Sequence, residues 1–183
     1  DLTSASQLAS SLHLDEPAVG VMNRIGLDFN AVGNHEFDRG WKELQRLQNG
    51  GCEKNTRLQP CQLEQFQGAK YKYLSASTYK RDGSTLFPAT GLKSFGRGAN
   101  KVTVGFIGLS LQDVPMLVSP DEVKGLTFGD EAEAINREVP KLKAEGADAV
   151  VVLIHQGGVT KPGKPDSCED LVGGITPILD KLK

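Results

Sequence analysis

No run of apolar side chains in the 183 residues approaches the roughly 18 to 20 that a helix needs to cross a bilayer, so a membrane-spanning helix is not expected. A surplus of positive charge is also missing: 21 Lys and Arg stand against 23 Asp and Glu, for a net charge of -2. A long nucleic-acid backbone, held chiefly by clustered cations, is therefore a poor partner. Cysteine is scarce, at three residues, and no second pair stands at ligand spacing, which argues against a Cys-rich structural zinc site. No serine sits in a nucleophile elbow, and Gly96-Arg97-Gly98 precedes a strand instead of opening a helix, so a triad hydrolase and a phosphate-cradling loop both lack their signatures. The first residue is Asp1, without an initiator Met or an apolar leader, so the chain is expected to be a processed or cut piece, and whether a signal peptide stood upstream stays open.

What is present suits one compact domain, with 38% hydrophobic residues to build a core. Apolar runs alternate with helix-like stretches, the pattern of an α/β or layered α+β domain. A helix is predicted after Asp15-Glu16-Pro17, with Val19, Met22 and Ile25 on one face and Gly26 as its stop. A strand over Phe29 to Val32, a polar loop from Gly33 to Asp38 and a helix through Trp41, Leu44 and Leu47 follow. Further strands are expected over 71–76, 91–95, 102–109 and 147–154, the last two apolar enough to be buried on both faces. Asp130 with Glu133 reads as the capped start of a long helix ending at Gly146, with Pro140 a candidate kink, and Ile175 to Leu182 as a short final one.

Cys52 and Cys61 lie in a polar, irregular excursion over 49–70, where they are either a disulfide closing a small ring or two free thiols. The disulfide favours an oxidising compartment, outside the cytoplasm. Cys168 is left over and invites a partner elsewhere or a reactive thiol. Ligand sites in open α/β sheets collect at the carboxyl ends of strands. His35 and His155 both fall just after predicted strands, whereas His13, in a Ser-rich region, reads as solvated. The hexapeptide Gly33-Asn34-His35-Glu36-Phe37-Asp38 packs an amide, an imidazole and two carboxylates into one turn. A mixed nitrogen and oxygen set of this kind suits Zn, Mn, Fe or a similar ion better than Ca.

That hexapeptide, preceded by Met22 to Asp28, resembles the GNHE block of calcineurin-like metallophosphatases, and specifically of the bacterial 5'-nucleotidase and 2',3'-cyclic phosphodiesterase family. The likeness continues through Val102–Ser110 and Val150–Gly158. It implies a four-layer sandwich of two mixed sheets flanked by helices, with two divalent metal ions. Residue by residue, Asp1 resembles the carboxylate that bridges both metals, Asn34 the amide ligand and His155 the strand-end imidazole ligand. His35 resembles the histidine that is not a ligand but stabilises the transition state and protonates the leaving group, and Asp38 the carboxylate that orients it. Glu36 receives no role from the resemblance. Ser77 stands where relatives often carry Asn.

The resemblance further implies that residues 1–183 are a partial domain, incomplete at both ends. The family's DxH block is expected upstream of Asp1, and its GHxH block and substrate-binding domain downstream of Lys183. A nucleotide or cyclic nucleotide is the implied substrate, and a periplasmic, secreted or cell-surface location the implied setting. The isolated chain is expected to turn over little, and the alternative for it is a catalytically silent binding or structural domain. An unpaired sheet edge left by a missing first strand would favour self-association.

Overall fold

The computed structural model describes residues 1–160 and 170–183. Most of the Pro-, Gly- and Lys-rich stretch, and Cys168 with it, lies outside the described residues. The chain begins with a short helix, α1 (Leu8–Ser11), then α2 (Glu16–Ile25), which has Pro17 in its first turn and stops at Gly26 in the left-handed conformation. Strand β1 (Phe29–Ala31) leads through a 3₁₀ turn at His35–Phe37 into α3 (Trp41–Asn49). Strands β2 (Lys72–Leu74), β3 (Thr78–Lys80), β4 (Thr90–Phe95) and β5 (Val102–Leu109) come next, followed by α4 (Val114–Leu117) and β6 (Leu126–Phe128). Helix α5 (Glu131–Ala144) precedes β7 (Ala149–Ile154), and α6 (Ile175–Asp180) closes the described chain. Among the described residues no helix is long and apolar enough to cross a membrane.

The strands form a layered α/β arrangement of short sheets. In the central one β4 runs antiparallel to β5, and β5 parallel to β7, in the order β4-β5-β7. Helix α5 covers one face, where Ile107, Leu109, Ile135 and Leu142 are buried together. Parallel strands β1 and β2 cover the other face. There Phe29 packs on Phe106, with ring centroids 5.0 Å apart. Gly108 allows the layers to meet, because a Cβ on it would stand 2.4 Å from Leu74 Cβ. A larger cluster, including Val19, Val32, Phe37, Leu44 and Tyr73, joins β1 and β2 to α2 and α3. Strands β3 and β6 pair as a separate antiparallel ribbon.

Several boundaries differ from the sequence reading, each for a local reason. Strand β7 begins at Ala149, and Ala149 and Val151 are exposed, because β7 has β5 as its neighbour on one side and among the described residues none on the other. Strand β5 is buried toward its carboxyl end, but Val102 at its start is exposed where it meets Phe95, itself exposed. Strands β3 and β6, with three residues each, are too short to carry a period, and α1 and α4, with four each, are too short to show a face. Pro140 does not end α5, which runs through it from an Asp130 cap whose side chain accepts from Glu133 N at 3.0 Å. His13 is half-buried, not solvated, and its Nδ1 is buried without a hydrogen-bond partner.

The Cys52–Cys61 disulfide is formed and closes its ring over α3. The ring hangs on a buried ionic cluster: Arg46 bonds Glu43 and Glu16 and donates to Gly51 O at 2.9 Å, while Glu16 Oε1 accepts from Cys61 N at 3.0 Å. Burial costs three charges their hydration, and the mutual hydrogen bonds offset that cost.

A second buried carboxylate organises the amino-terminal segment. Glu36 Oε1 accepts from Leu2 N at 2.6 Å and Thr3 N at 3.0 Å, and Oε2 accepts from Gly33 N at 2.7 Å. The nitrogen of Asp1 stands 3.2 Å from the same Oε2. Asp15 plays the corresponding part for the residues that follow, accepting from Ser4 N at 2.8 Å, Ser10 Oγ at 3.1 Å, Ser6 Oγ and Arg39 Nη1.

Two outcomes follow from these buried groups. Replacing Glu36 by Ala strands three backbone N–H groups and should lower stability to urea by about 2 to 4 kcal/mol. A loss under about 0.5 kcal/mol, typical of a surface substitution, would show that the clamp is dispensable. Burial also pushes the Tyr71 phenol up to about 12 and holds Tyr73 well above its ordinary value, their hydroxyls 3.2 Å apart. Because the folded chain keeps these protons longer than the unfolded one, the associated stability is complete below about pH 10 and is lost as pH rises toward about 12. Phenolate absorbance from these two rings should therefore grow in step with loss of near-ultraviolet dichroism, and ionisation inside a still-folded protein would contradict it.

Candidate active site

Three separate segments converge at the carboxyl ends of β1 and β7. Gly33 and Asn34 follow β1, His155 follows β7, and the Glu36 clamp brings Asp1 between them. Asn34 Oδ1 lies 2.8 Å from His155 Nε2, and Asp1 Oδ2 lies 3.2 Å from the same nitrogen. Asp1 Oδ1 accepts from His35 N at 3.3 Å. Gly33 is required here: an added Cβ would stand 2.3 Å from Asp1 Oδ1 and 2.9 Å from Glu36 Oε2. The sequence reading placed Asp1, Asn34 and His155 together, and the structure brings them together.

Beside this trio, His35 Nδ1 is 2.7 Å from Asp38 Oδ2, both side chains partly open to solvent. The 3₁₀ turn puts these residues three apart on one side, and the Asp38 carboxylate takes up Nδ1 and not Nε2 of the ring. A cleft of about 270 Å³ opens next to the trio, between Asp1, β1 and the end of β7.

The donor set suits a cation. Ligands around an ion bound at roughly 2.0 to 2.2 Å stand about 3 Å apart, the separations seen from His155 Nε2. Desolvation, followed by the positive charge on the nitrogen of Asp1, holds His155 below its ordinary value, which favours the neutral imidazole that can ligate. The set is small, however. Among the described residues no group of three or more His, Cys, Asp or Glu is placed to hold a metal, and the third donor here is an amide.

Glu36 is the functional residue that sequence reasoning left without a role. Its signal was an acidic side chain inside an otherwise short-range polar turn, yet its partners Leu2 and Thr3 are more than thirty residues away. Ser77 and Ser110, unassigned in the sequence, bond each other: Ser77 Oγ donates to Ser110 O, and Thr78 Oγ1 donates to Ser110 Oγ. They tie the start of β3 to the end of β5.

No family model matches the chain. Individual proteins do. The chain is 36% identical over 156 residues to endonuclease YhcR of Bacillus subtilis, covering 85% of this chain and 12% of that protein. It is 30% identical over 185 residues to the cell wall protein Lmo0130 of Listeria monocytogenes, covering 99% and 23%. Among solved structures, the calcineurin-like phosphoesterase YfkN of Bacillus subtilis matches with a TM-score of 0.61 at 26% identity, covering 77% of this chain and 38% of that one. A 5'-nucleotidase precursor of Thermus thermophilus matches at 0.58 and 26%, covering 82% and 25%. The chain thus spans less than half the length of each of these proteins. Calcineurin-like phosphoesterases are metal-dependent, in keeping with the convergent donors. By sequence and by fold, the chain belongs to the calcineurin-like metallophosphatases, as a domain of the 5'-nucleotidase family.

Proposed function

We propose that the protein of which this chain forms a part hydrolyses phosphate esters of nucleotides, as a 5'-nucleotidase or a 2',3'-cyclic phosphodiesterase, at a dinuclear centre of Zn, Mn, Fe or similar ions. One observation carries the reading: an amide, a carboxylate and an imidazole from three segments meet around His155 Nε2, beside a paired His35 and Asp38. Bound divalent cations would supply Lewis acidity and a water of lowered pKa for in-line attack on phosphorus.

The chain's own residues do the rest. Asp1 offers two carboxylate oxygens from one position, which suits a bridge between two ions, and Asn34 adds an oxygen without adding charge. Glu36 holds the backbone of Leu2, Thr3 and Gly33, and so fixes where these donors point. Asp38 fixes the His35 ring through Nδ1, leaving Nε2 free to give a proton to the departing oxygen. The exposure of that ring lets a nucleoside leaving group reach it.

The Cys52–Cys61 disulfide supports a periplasmic or cell-surface setting, as does a relative in a cell wall. Among the described residues β7 has a free edge, where a further strand, or a second copy of the chain, would add. A second reading applies to the chain by itself. With Asp1 and His155 as its only anionic and imidazole donors in this trio, it holds metal weakly and is catalytically silent alone.

The test is phosphate release from AMP and from 2',3'-cyclic AMP by the full-length protein, with elemental analysis of its metal content. His35→Ala should lower kcat by about 10²- to 10⁴-fold with the metal content unchanged. Full kcat in that variant would remove His35 from the reaction, and a metal-free active protein would sink the whole reading.

A further inference from the structure

The turn that carries His35 and Asp38 mixes open side chains with anchored ones. His35 and Asp38, paired through Nδ1, are open to solvent. Glu36 holds the amino-terminal backbone, and Phe37 is buried against Phe128 with ring centroids 5.3 Å apart. Arg39 is the remaining anchor. Its guanidinium forks: Nη1 donates to Asp15 Oδ2 at 2.8 Å, while Nη2 donates to Ser11 O at 2.8 Å and to Ser11 Oγ at 2.7 Å. The residue that directly follows Asp38 is thereby tied to the stretch joining α1 to α2.

Asp15 Oδ2 is shared. It accepts from Ser4 N at 2.8 Å as well as from Arg39, so the segment that carries Asp1 and the segment that carries Asp38 meet on one oxygen. The other oxygen accepts from Ser10 Oγ at 3.1 Å and from Ser6 Oγ. Asp15 is fully buried and stands at φ +62°, next to the buried Leu14 at φ +55°. Left-handed backbone at adjacent non-glycine residues is unfavourable, and it persists where the surroundings over-determine it, as they do near functional sites. Among the described residues Arg39 is the cation paired with Asp15.

Neither side chain bonds His35 or the donor trio, so its influence passes through the backbone on either side. That route is short. Arg39 adjoins Asp38, which holds the His35 ring, and Ser4 lies three residues from Asp1, which reaches His155. A planar guanidinium held at both ends of its fork fixes position more closely than a single point charge does.

We infer that Asp15 and Arg39 are positioning residues for proton delivery: their ion pair sets the spacing between the Asp1 segment and the His35–Asp38 pair, and so places His35 Nε2 against the oxygen that leaves phosphorus. The inference rests on the nucleotide phosphoesterase reading and on the part given there to His35. As the oxygen of water bonds to phosphorus, the P–O bond to the nucleoside breaks, its electron pair stays on the ribose oxygen, and that oxygen takes the proton of His35 Nε2. An alkoxide is a strong base and leaves slowly without that proton. A nitrophenolate is a much weaker base and leaves readily without it. Loosening the pair should therefore slow a nucleotide and spare an aryl phosphate, whereas general damage to the centre would slow both.

The experiment compares hydrolysis of AMP and of p-nitrophenyl phosphate by the full-length protein, with metal content measured in each variant. Asp15→Asn keeps the shape of the side chain without its charge, Arg39→Gln removes the fork, and His35→Ala is the reference. Asp15→Asn and Arg39→Gln should each lower kcat for AMP by about 10²-fold, the cost of misplacing a reacting group by about 1 Å. KM, metal content and kcat for p-nitrophenyl phosphate should stay near those of wild type, and His35→Ala should show the same split between substrates. Arg39→Lys, which keeps the charge but not the fork, should recover part of the loss. Equal losses on both substrates, full kcat for AMP in Arg39→Gln, or a change confined to KM overturns the inference. Should Asp15→Asn fail to fold, Arg39→Gln decides by itself, because its side chain lies nearer the surface, at 19% exposure. AMP turnover by wild type keeps the phosphoesterase reading in each of those cases, whereas its absence removes both.

Discussion

The buried carboxylate of Glu36 is the constraint on which the site depends. A charge in that position is costly unless every lone pair is used, and here the backbone of Leu2, Thr3 and Gly33 uses them. The bonds reach across more than thirty residues of chain, so they close a long loop and must repay its entropy. In return, the first residues are laid against the turn after β1, and the Asp1 carboxylate is delivered to His155. The glycine at position 33 is the other half of this arrangement, since the oxygens of Asp1 and Glu36 occupy the space a side chain would fill.

A division of labour follows. Buried charged residues brace more open ones: Asp15 gathers Ser4, Ser10 and Arg39 just behind the His35–Asp38 turn, and Arg46 between Glu43 and Glu16 anchors the disulfide ring. Each of these carboxylates is buried and hydrogen-bonded, as supporting groups around a reactive centre need to be if they are to limit its movement. The open groups, His35, Asp38 and Arg57, stand on segments that these clusters hold.

How much of this the sequence disclosed depended on range. The α2 boundaries were legible because Pro17 and Gly26 act within a turn of themselves, and the capped start of α5 because Asp130 and Glu133 meet locally. The meeting of Asn34 and His155 was legible by a coarser rule, that strand ends converge, together with a family likeness in the hexapeptide. The Cys52–Cys61 pairing was one of two open readings, and nearness in a polar loop favoured the one observed. Illegible were the partners of Glu36 and Asp15, whose donors are distant or backbone groups that no residue pattern advertises. The apolar run of β7 misled for a related reason: hydrophobicity registers what a strand can bury, while its neighbours decide what it does bury.

That last feature bears on how the centre opens and closes. Among the described residues His155 is carried by a strand bonded to a single neighbour, so wherever no further strand adds at that edge its segment could detach in a local excursion costing less than global unfolding, with the other two donors left in place. A cation seated there would act as a clasp on the border of the sheet, and its residence time would be limited by the breathing of β7 rather than by the strength of any one coordinate bond. Slow amide exchange along 149–154 would then report on occupancy of the centre, linking the mechanics of an outer strand to the lifetime of the bound ion.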